Sequence, residues 1–470
     1  MNNINLKSLE IEKLIRAHIL YKDYSKIDLI GVFFHEIMIY ATNYYIIKTS
    51  KNEYTQEVKF PFLNSEYVQN LPKLNFEHTI ERKRNIKYKI IKFIQLFSPI
   101  SKSIDVEDNV DIDIKNFIIR NFFKYKFNDS LNTKIFIENK QEQIANLKLL
   151  LEKIAQVLDI TAKENFILNF IEYVNCYISQ KSILAQSDFL IVGSNARLSS
   201  RINSAIYLSQ GKKVISFCHG EHSAFVLDEP VIGHVELSYC SDYITYGRKQ
   251  DFEELRYALP IIKLPKIHYR SSGVIKTYHN NQKNISDINL TNNSKVLYIP
   301  TLFSSNQRYG PFRDIEDSLY QKLQESILSL DYDITYKAHP KSKIEVQLNH
   351  HKVVRENLKD VLLNYDFYIL DYISTASALC VATDKPIIYF NLGMRNLQKE
   401  AKEIFKKRVY WVDIDMDKDF DTQINQAIED FNLFNRKYVN EYTEKFSLAE
   451  YNKSEIEVLE EIIKESLNAN

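Results

Sequence analysis

Glycine is scarce in this chain: 9 of 470 residues, where an ordinary chain carries about 7%. None of the nine forms G-x-G-x-x-G or G-x-x-x-x-G-K-[ST]. Readings as a dinucleotide fingerprint or a P-loop, whose backbones approach phosphates through glycine, therefore lack support. The four cysteines (Cys176, Cys218, Cys240 and Cys380) include no C-x-x-C pair. That argues against a zinc ribbon, a dithiol redox centre or a disulfide framework, and leaves reduced core thiols. Net charge is absent too, with 61 basic and 61 acidic residues. No global field draws in nucleic acid or an anionic membrane. The most apolar stretch, residues 30–47, is interrupted by His35, Glu36 and Asn43 and reads as a buried helix, not a membrane span. The first residues, MNNINLKSLEIEK, contain no apolar h-region. The expected location is cytoplasmic, with at most peripheral attachment at the inner membrane face.

Metal patterns fail as well. His219 and His222 are spaced H-x-x-H, not HExxH. Asp413, Asp415, Asp417 and Asp419 alternate like a calcium loop, but Lys418 stands where the turn requires glycine. Asp111 and Asp113 form a D-x-D with no suitable strand before it, and read as a solvated turn. No metal and no resident cofactor are expected.

What is present is aromatic and apolar: 31 Tyr, 27 Phe and 45% hydrophobic residues beside 26% charged. This is a soluble globular composition with core enough for two or three domains. The Ile, Lys, Asn and Tyr bias resembles AT-rich codon usage and carries no functional meaning.

Residues 1–180 read as a helical N-terminal extension. Apolar spacing predicts helices over 9–21 and 30–47, and a pair over 141–182 broken near Asp159. A clear α/β unit then begins. Residues 189–192 are a buried strand ending in Gly193, Ser194 and Asn195; 198–209 is a helix stopped by Gly211; 213–217 is the next strand. The strand–helix–strand order makes a right-handed βαβ unit. It delivers His219, Gly220 and Glu221 to the carboxyl edge of a parallel sheet. A further strand is expected over 243–246, followed by a helix through Arg256. Residues 265–294 are dense in Asn, Ser and Lys and read as a linker, with its core at 276–294. A second α/β half follows over 295–435. Its strands are expected at 296–299, 334–337, 352–355, 367–370, 386–390 and 409–412, with helices at 315–330, 344–349, 358–364 and 375–382. Residues 436–470 form a helical tail. The fold class is α/β: two Rossmann-like halves (181–275 and 295–435) behind the extension, the twin arrangement called GT-B.

The stretch 333–390 organises the chain. Residues 334–337 and 367–370 are short apolar runs, and each ends in a polar cluster: Lys337, His339 and Pro340 after the first, Asp371, Ser374, Thr375 and Ser377 after the second. A strand that ends in hydroxyl residues and opens a helix makes an anion site, because the first helical N–H groups lack partners and the dipole favours negative charge. Ligands in an open α/β sheet sit outside the carboxyl ends of its strands. The pattern reads as half of a nucleotide-binding site, although Ser374 also has the simpler reading of a helix cap. His339 can donate to a phosphate, and Pro340 holds it extended. Glu221 and His219 are candidates for the general base that deprotonates an acceptor hydroxyl. Arg197, Arg201, Arg308 and Arg313 are candidate anion contacts.

Taken in order, CHGE, YKAHP and DYISTASALCVATDKPIIYF resemble bacterial surface-polysaccharide transferases of the GT-B class over residues 188–395. CDP-glycerol glycerophosphotransferases have a His-Gly after a strand, a basic residue near His-Pro, and Asp-x-Ser-Ser before a DKPIIFF-like strand. Polysialyltransferases have an acidic-Gly motif, a His-Pro motif and a Ser/Thr pair. Two departures stand out. Asp371 is followed by Tyr372 and Ile373 before the hydroxyls, and Glu221 follows its glycine instead of preceding it. The resemblance implies that His339, Ser374 and Thr375 hold the phosphate of a CMP- or CDP-linked donor, and that Glu221 or His219 is the base. It implies transfer of a CMP-activated acidic sugar (sialic-acid-like or Kdo-like) to a glycan or lipid-linked glycan in capsule or O-antigen synthesis. The alternatives are a CDP-polyol phosphotransferase, a sugar-nucleotide 2-epimerase and a non-catalytic glycan-binding protein.

Overall fold

The computed structural model describes residues 3–49, 103–107, 114–117, 126–128, 132–218, 236–246, 261–271, 290–300, 317–338, 352–393, 397–433, 441–448 and 453–468, with Gly233, Ile275 and Tyr278. Its strands in chain order are β1 (Ser103–Val106), β2 (Lys126–Asn128), β3 (Ile135–Phe136), β4 (Ile178–Ser179), β5 (Phe189–Val192), β6 (Lys213–Phe217), β7 (Asp242–Thr245), β8 (Lys266–Tyr269), β9 (Lys295–Ile299), β10 (Asp333–Lys337), β11 (Lys352–Val354), β12 (Phe367–Leu370), β13 (Ile387–Asn391) and β14 (Tyr410–Asp413).

Two six-stranded sheets result, in the orders β2-β1-β5-β6-β7-β8 and β11-β10-β9-β12-β13-β14, with β3 and β4 as a separate pair. Every pairing is parallel. Parallel strands buried on both faces read as continuous apolar runs, which explains why FLIV at β5 and FYIL at β12 have no exposed position. Numbered from its own first strand, the second sheet has the order 3-2-1-4-5-6, that of a doubly wound nucleotide-binding fold, and its order reverses between β9 and β12.

Both sheets are covered on both faces. The helix Leu198–Ser209 packs with the N-terminal helices on one face of the first sheet, through Leu190, Val192 and Val214. The C-terminal helix Glu455–Asn468 covers the other face, setting Val458, Leu459, Ile462 and Ile463 against Ile104, Phe189, Ile215 and Ile244. In the second sheet, helices Thr375–Val381 and Lys399–Arg408 lie over Leu297, Leu370 and Tyr389. Helices Asp317–Leu328 and Phe420–Leu433 lie over Val296, Tyr298, Tyr336 and Ile369. Tyr442 and Phe446 belong to the second sheet's core. The last helix thus returns the chain to the first sheet, where Arg270 pairs with Glu455, and where Ser271 N–H donates to Lys453 O at 3.0 Å and its Oγ to Leu448 O at 2.8 Å.

Two expectations are corrected. Residues 1–180 are not simply a helical extension, because β1 and β2 from this region complete the first sheet. Its helices Asn3–His18, Phe34–Thr49, Lys140–Val157 and Lys163–Asn175 share the core of that sheet. The break near Asp159 is present, and Asp159 adopts a left-handed φ of 51°. Residues 265–294 are not linker throughout, since β8 is the first sheet's sixth strand. The helices expected through Arg256 and over 344–349 lie outside the described residues.

Candidate functional site

The second sheet brings several of the expected residues to one edge and one face. Side chains alternate along a strand. Tyr336 faces the helices Asp317–Leu328 and Phe420–Leu433, so Lys337, the last residue of β10, faces the opposite side. Leu370 at the end of β12 also faces that side, and so does the helix that begins at Thr375. Lys337, Ser374, Thr375 and Ser377 therefore share the carboxyl edge and the same face, on either side of β9.

Lys337 is only 5% exposed, and its Nζ donates to the Ala338 carbonyl at 2.9 Å. Burial pushes its ammonium below the usual lysine value, and the Glu356 charge opposes this only in part. An ionised group held at a desolvation cost has more to gain from an anionic ligand than a solvated lysine does.

Ser374 caps the helix Thr375–Val381. Its Oγ accepts from Ala376 N at 3.2 Å, and its own N–H donates to Ser377 Oγ at 2.9 Å. Ser377 Oγ donates in turn to Ser374 O at 2.7 Å. This reciprocal box fixes the start of a helix too short to be stable alone. It engages both serine hydroxyls, and Ser377 is buried. Thr375 is half-buried beside them. His339 and Pro340 follow Lys337 by two and three residues and lie outside the described residues.

In the first sheet, β6 ends at Phe217, and Cys218 N still donates to Ile244 O at 2.8 Å. His219, Gly220 and Glu221 come next in sequence and lie outside the described residues, as do Arg308 and Arg313. Arg197 is exposed at the N-cap of the helix Leu198–Ser209 and makes no side-chain cap bond. It belongs to the first sheet, not to the cluster around Lys337.

Arg201 is a correction. It is 1% exposed, and its guanidinium is consumed by the protein. Nε donates to Val32 O at 2.8 Å, Nη1 to Asn195 O at 2.7 Å and Ala196 O at 2.9 Å, and Nη2 to both oxygens of Glu36. Asn195 is buried alongside, donating to Tyr239 O at 2.9 Å and accepting from Ser204 Oγ at 2.8 Å. The turn after β5 is thereby tied to the N-terminal helices, so Arg201 is structural and does not contact an external anion.

The sequence reading missed two buried carboxylates, one on β1 and one just after it. Asp105 accepts from Ser187 Oγ at 2.7 Å and from the Tyr207 hydroxyl. Glu107, just beyond the strand, accepts from Ser200 Oγ in the first turn of the helix Leu198–Ser209. Acidic residues alternating with Ile104 and Val106 mimic a solvated face, which is why they gave no signal. The first sheet's helix start thus has a protein carboxylate bonded to its first turn. Arg270 was missed as well. It lies at the end of β8, 4.2 Å from the Tyr246 ring centroid and 5.7 Å from that of Phe217.

No family model and no curated protein matches this chain. Among solved structures, it is similar to Spinosyn Forosaminyltransferase SpnP with 9% identity and a TM-score of 0.31, over 70% of this chain and 91% of that one. A likeness at that level carries no weight for function. Among the described residues, no helix is long and apolar enough to cross a membrane. The chain is a mixed α/β protein built on two parallel sheets.

Proposed function

We propose that this protein is a metal-independent glycosyltransferase of GT-B type that acts in cell-surface polysaccharide synthesis, with a CMP-activated acidic sugar as donor. One observation carries the nucleotide half of this reading. The second sheet has the strand order of a nucleotide-binding fold, and its carboxyl edge sets a buried lysine and a hydroxyl-rich helix start on one face.

In the reaction, the bond between the anomeric carbon and the phosphate oxygen breaks as an acceptor hydroxyl attacks that carbon. The departing CMP phosphate gains charge. Lys337, His339 and the Thr375 hydroxyl stabilise it with the helix N–H groups, a role that a metal fills in other transferases. Ser377 contributes through the cap that fixes Ser374. Glu221 or His219 takes the acceptor proton. Arg308 and Arg313 are further candidate contacts to the donor. The acceptor is a glycan or lipid-linked glycan, reached by a protein in the cytoplasm or at the inner membrane face.

The test is turnover of CMP-linked acidic sugars against CDP-polyols, with His339→Ala and Glu221→Gln beside the wild type. His339→Ala is expected to weaken donor binding, and Glu221→Gln to lower kcat more than donor affinity. Transfer from CDP-polyols alone redirects the reading to attack on phosphorus. Product formed without acceptor indicates an epimerase, and no turnover of any donor refutes the transferase.

A further inference from the structure

The second sheet buries a carboxylate where its strand order reverses. Asp371 is the first residue beyond β12, is 1% exposed, and lies across the reversal from β9. Two phenols converge on one of its oxygens. Tyr298, next to last in β9, donates to Oδ2 at 2.6 Å. Tyr320, fourth residue of the helix Asp317–Leu328, donates to the same atom at 2.7 Å. Burial, and then the Asp371 charge, push both hydroxyls far above the usual tyrosine value, so both remain donors.

The placement matters more than the bonds. Asp371 points to the face of Tyr298 and Tyr320, while Leu370 before it and Ile373 after it are buried on the opposite face. The turn leading to Ser374 is thus fastened on both sides of the sheet before the helix begins. A single oxygen joins the end of β9, the helix that covers it and the turn after β12. These are the segments that border the crevice where a doubly wound sheet binds its ligand.

Packing alone does not require this arrangement. Leu323 and Ile327 dock the same helix through apolar contact, and buried ionic groups are often no more stabilising than apolar replacements of similar volume. What the polar knot adds is a fixed position.

We infer that Asp371, with Tyr298 and Tyr320, is a positioning group that sets where the Ser374–Thr375 turn stands relative to the end of β9. It acts through the turn and does not touch the ligand. This inference rests on the nucleotide reading proposed above.

Asp371→Ala risks losing the fold, so the tyrosine variants carry the test. Tyr298→Phe and Tyr320→Phe remove one hydroxyl each, and Ile327→Val perturbs the same core without touching the knot. Two quantities are measured below the melting temperature: the affinity for CMP and CDP by calorimetry, and amide exchange across residues 372–378. Each phenylalanine variant is expected to bind nucleotide more weakly, by up to about tenfold where the hydrogen bond's contribution is felt only with the turn in its binding position, and to exchange faster in that turn. Ile327→Val should lower the melting temperature and leave both unchanged. The inference is overturned if the phenylalanine variants behave like Ile327→Val. If the wild type binds no nucleotide, the functional reading falls on its own, and the exchange data still decide whether the knot holds the turn.

Discussion

Replacing Glu36 with alanine is expected to destabilise the first sheet by about 3–5 kcal/mol, the typical cost of removing one partner from a buried ion pair. The magnitude follows from the surroundings of Arg201. Its guanidinium is 1% exposed and has three backbone carbonyls and one carboxylate as acceptors. Without Glu36, the charge and two N–H bonds lose their acceptor. An exposed pair such as Lys352–Asp333, at 69% and 41% side-chain exposure, should contribute only about 0–1 kcal/mol. A chain with two sheets need not unfold in one step, so the assay is amide exchange over residues 195–202 together with the urea midpoint. Exchange there should rise by about two to four orders of magnitude in Glu36→Ala, as expected when local opening becomes easier by that free energy. If Glu36→Ala matches Lys352→Ala in both assays, the assignment of Arg201 as the anchor of the β5 turn is wrong.

Three further outcomes are expected. Lys337→Met should melt above the wild type at neutral pH while binding nucleotide more weakly, because the folded protein holds that ammonium at a cost. The stability gap should close as pH rises towards 10.5, since the unfolded chain then binds more protons than the folded one; a lower melting temperature throughout counts against it. Asp242 is raised by burial but held below its usual value by His268, Lys213 and Ser241, so it should stabilise the fold above about pH 3.8 and lose that contribution as pH falls through its folded value. Asp242→Asn should flatten the acid limb of the unfolding curve, and an unchanged limb refutes this. Arg270→Ala removes the pairing with Glu455 and the Tyr246 stack, and should speed amide exchange across the helix Glu455–Asn468; unaltered exchange there means that apolar packing alone holds it.

The sequence disclosed most where burial is complete. FLIV and FYIL were legible as β5 and β12 to the residue, because both faces of a parallel strand are apolar and each run ends in a polar cluster. The capping box at Ser374 and Ser377 was readable as a helix start, although not as a box that engages both hydroxyls. Legibility failed where buried polar groups imitate exposed ones. SIDV at β1 alternates apolar and acidic, yet the acid meets a tyrosine and a serine inside the protein. KIHY at β8 is an edge strand with a charged and partly exposed pattern, and it resembled linker. Arg201 looked like a surface cation because nothing local in its helix announces Glu36, which is 165 residues away. The knot at Asp371 is of the same kind, joining residues from β9, a following helix and β12 that no short window contains.

Nucleotide binding at the carboxyl edge of the second sheet is decided by thermal shift of the intact protein with CMP, CDP, UDP, GDP and ADP, run in parallel on Lys337→Met. A ligand at a hundred times its Kd stabilises the folded state by about 2.7 kcal/mol. Selective stabilisation by CMP or CDP, reduced in Lys337→Met, is the predicted result. Selective stabilisation by UDP keeps the site and rejects the cytidine donor, and no shift with any of the five nucleotides contradicts the account.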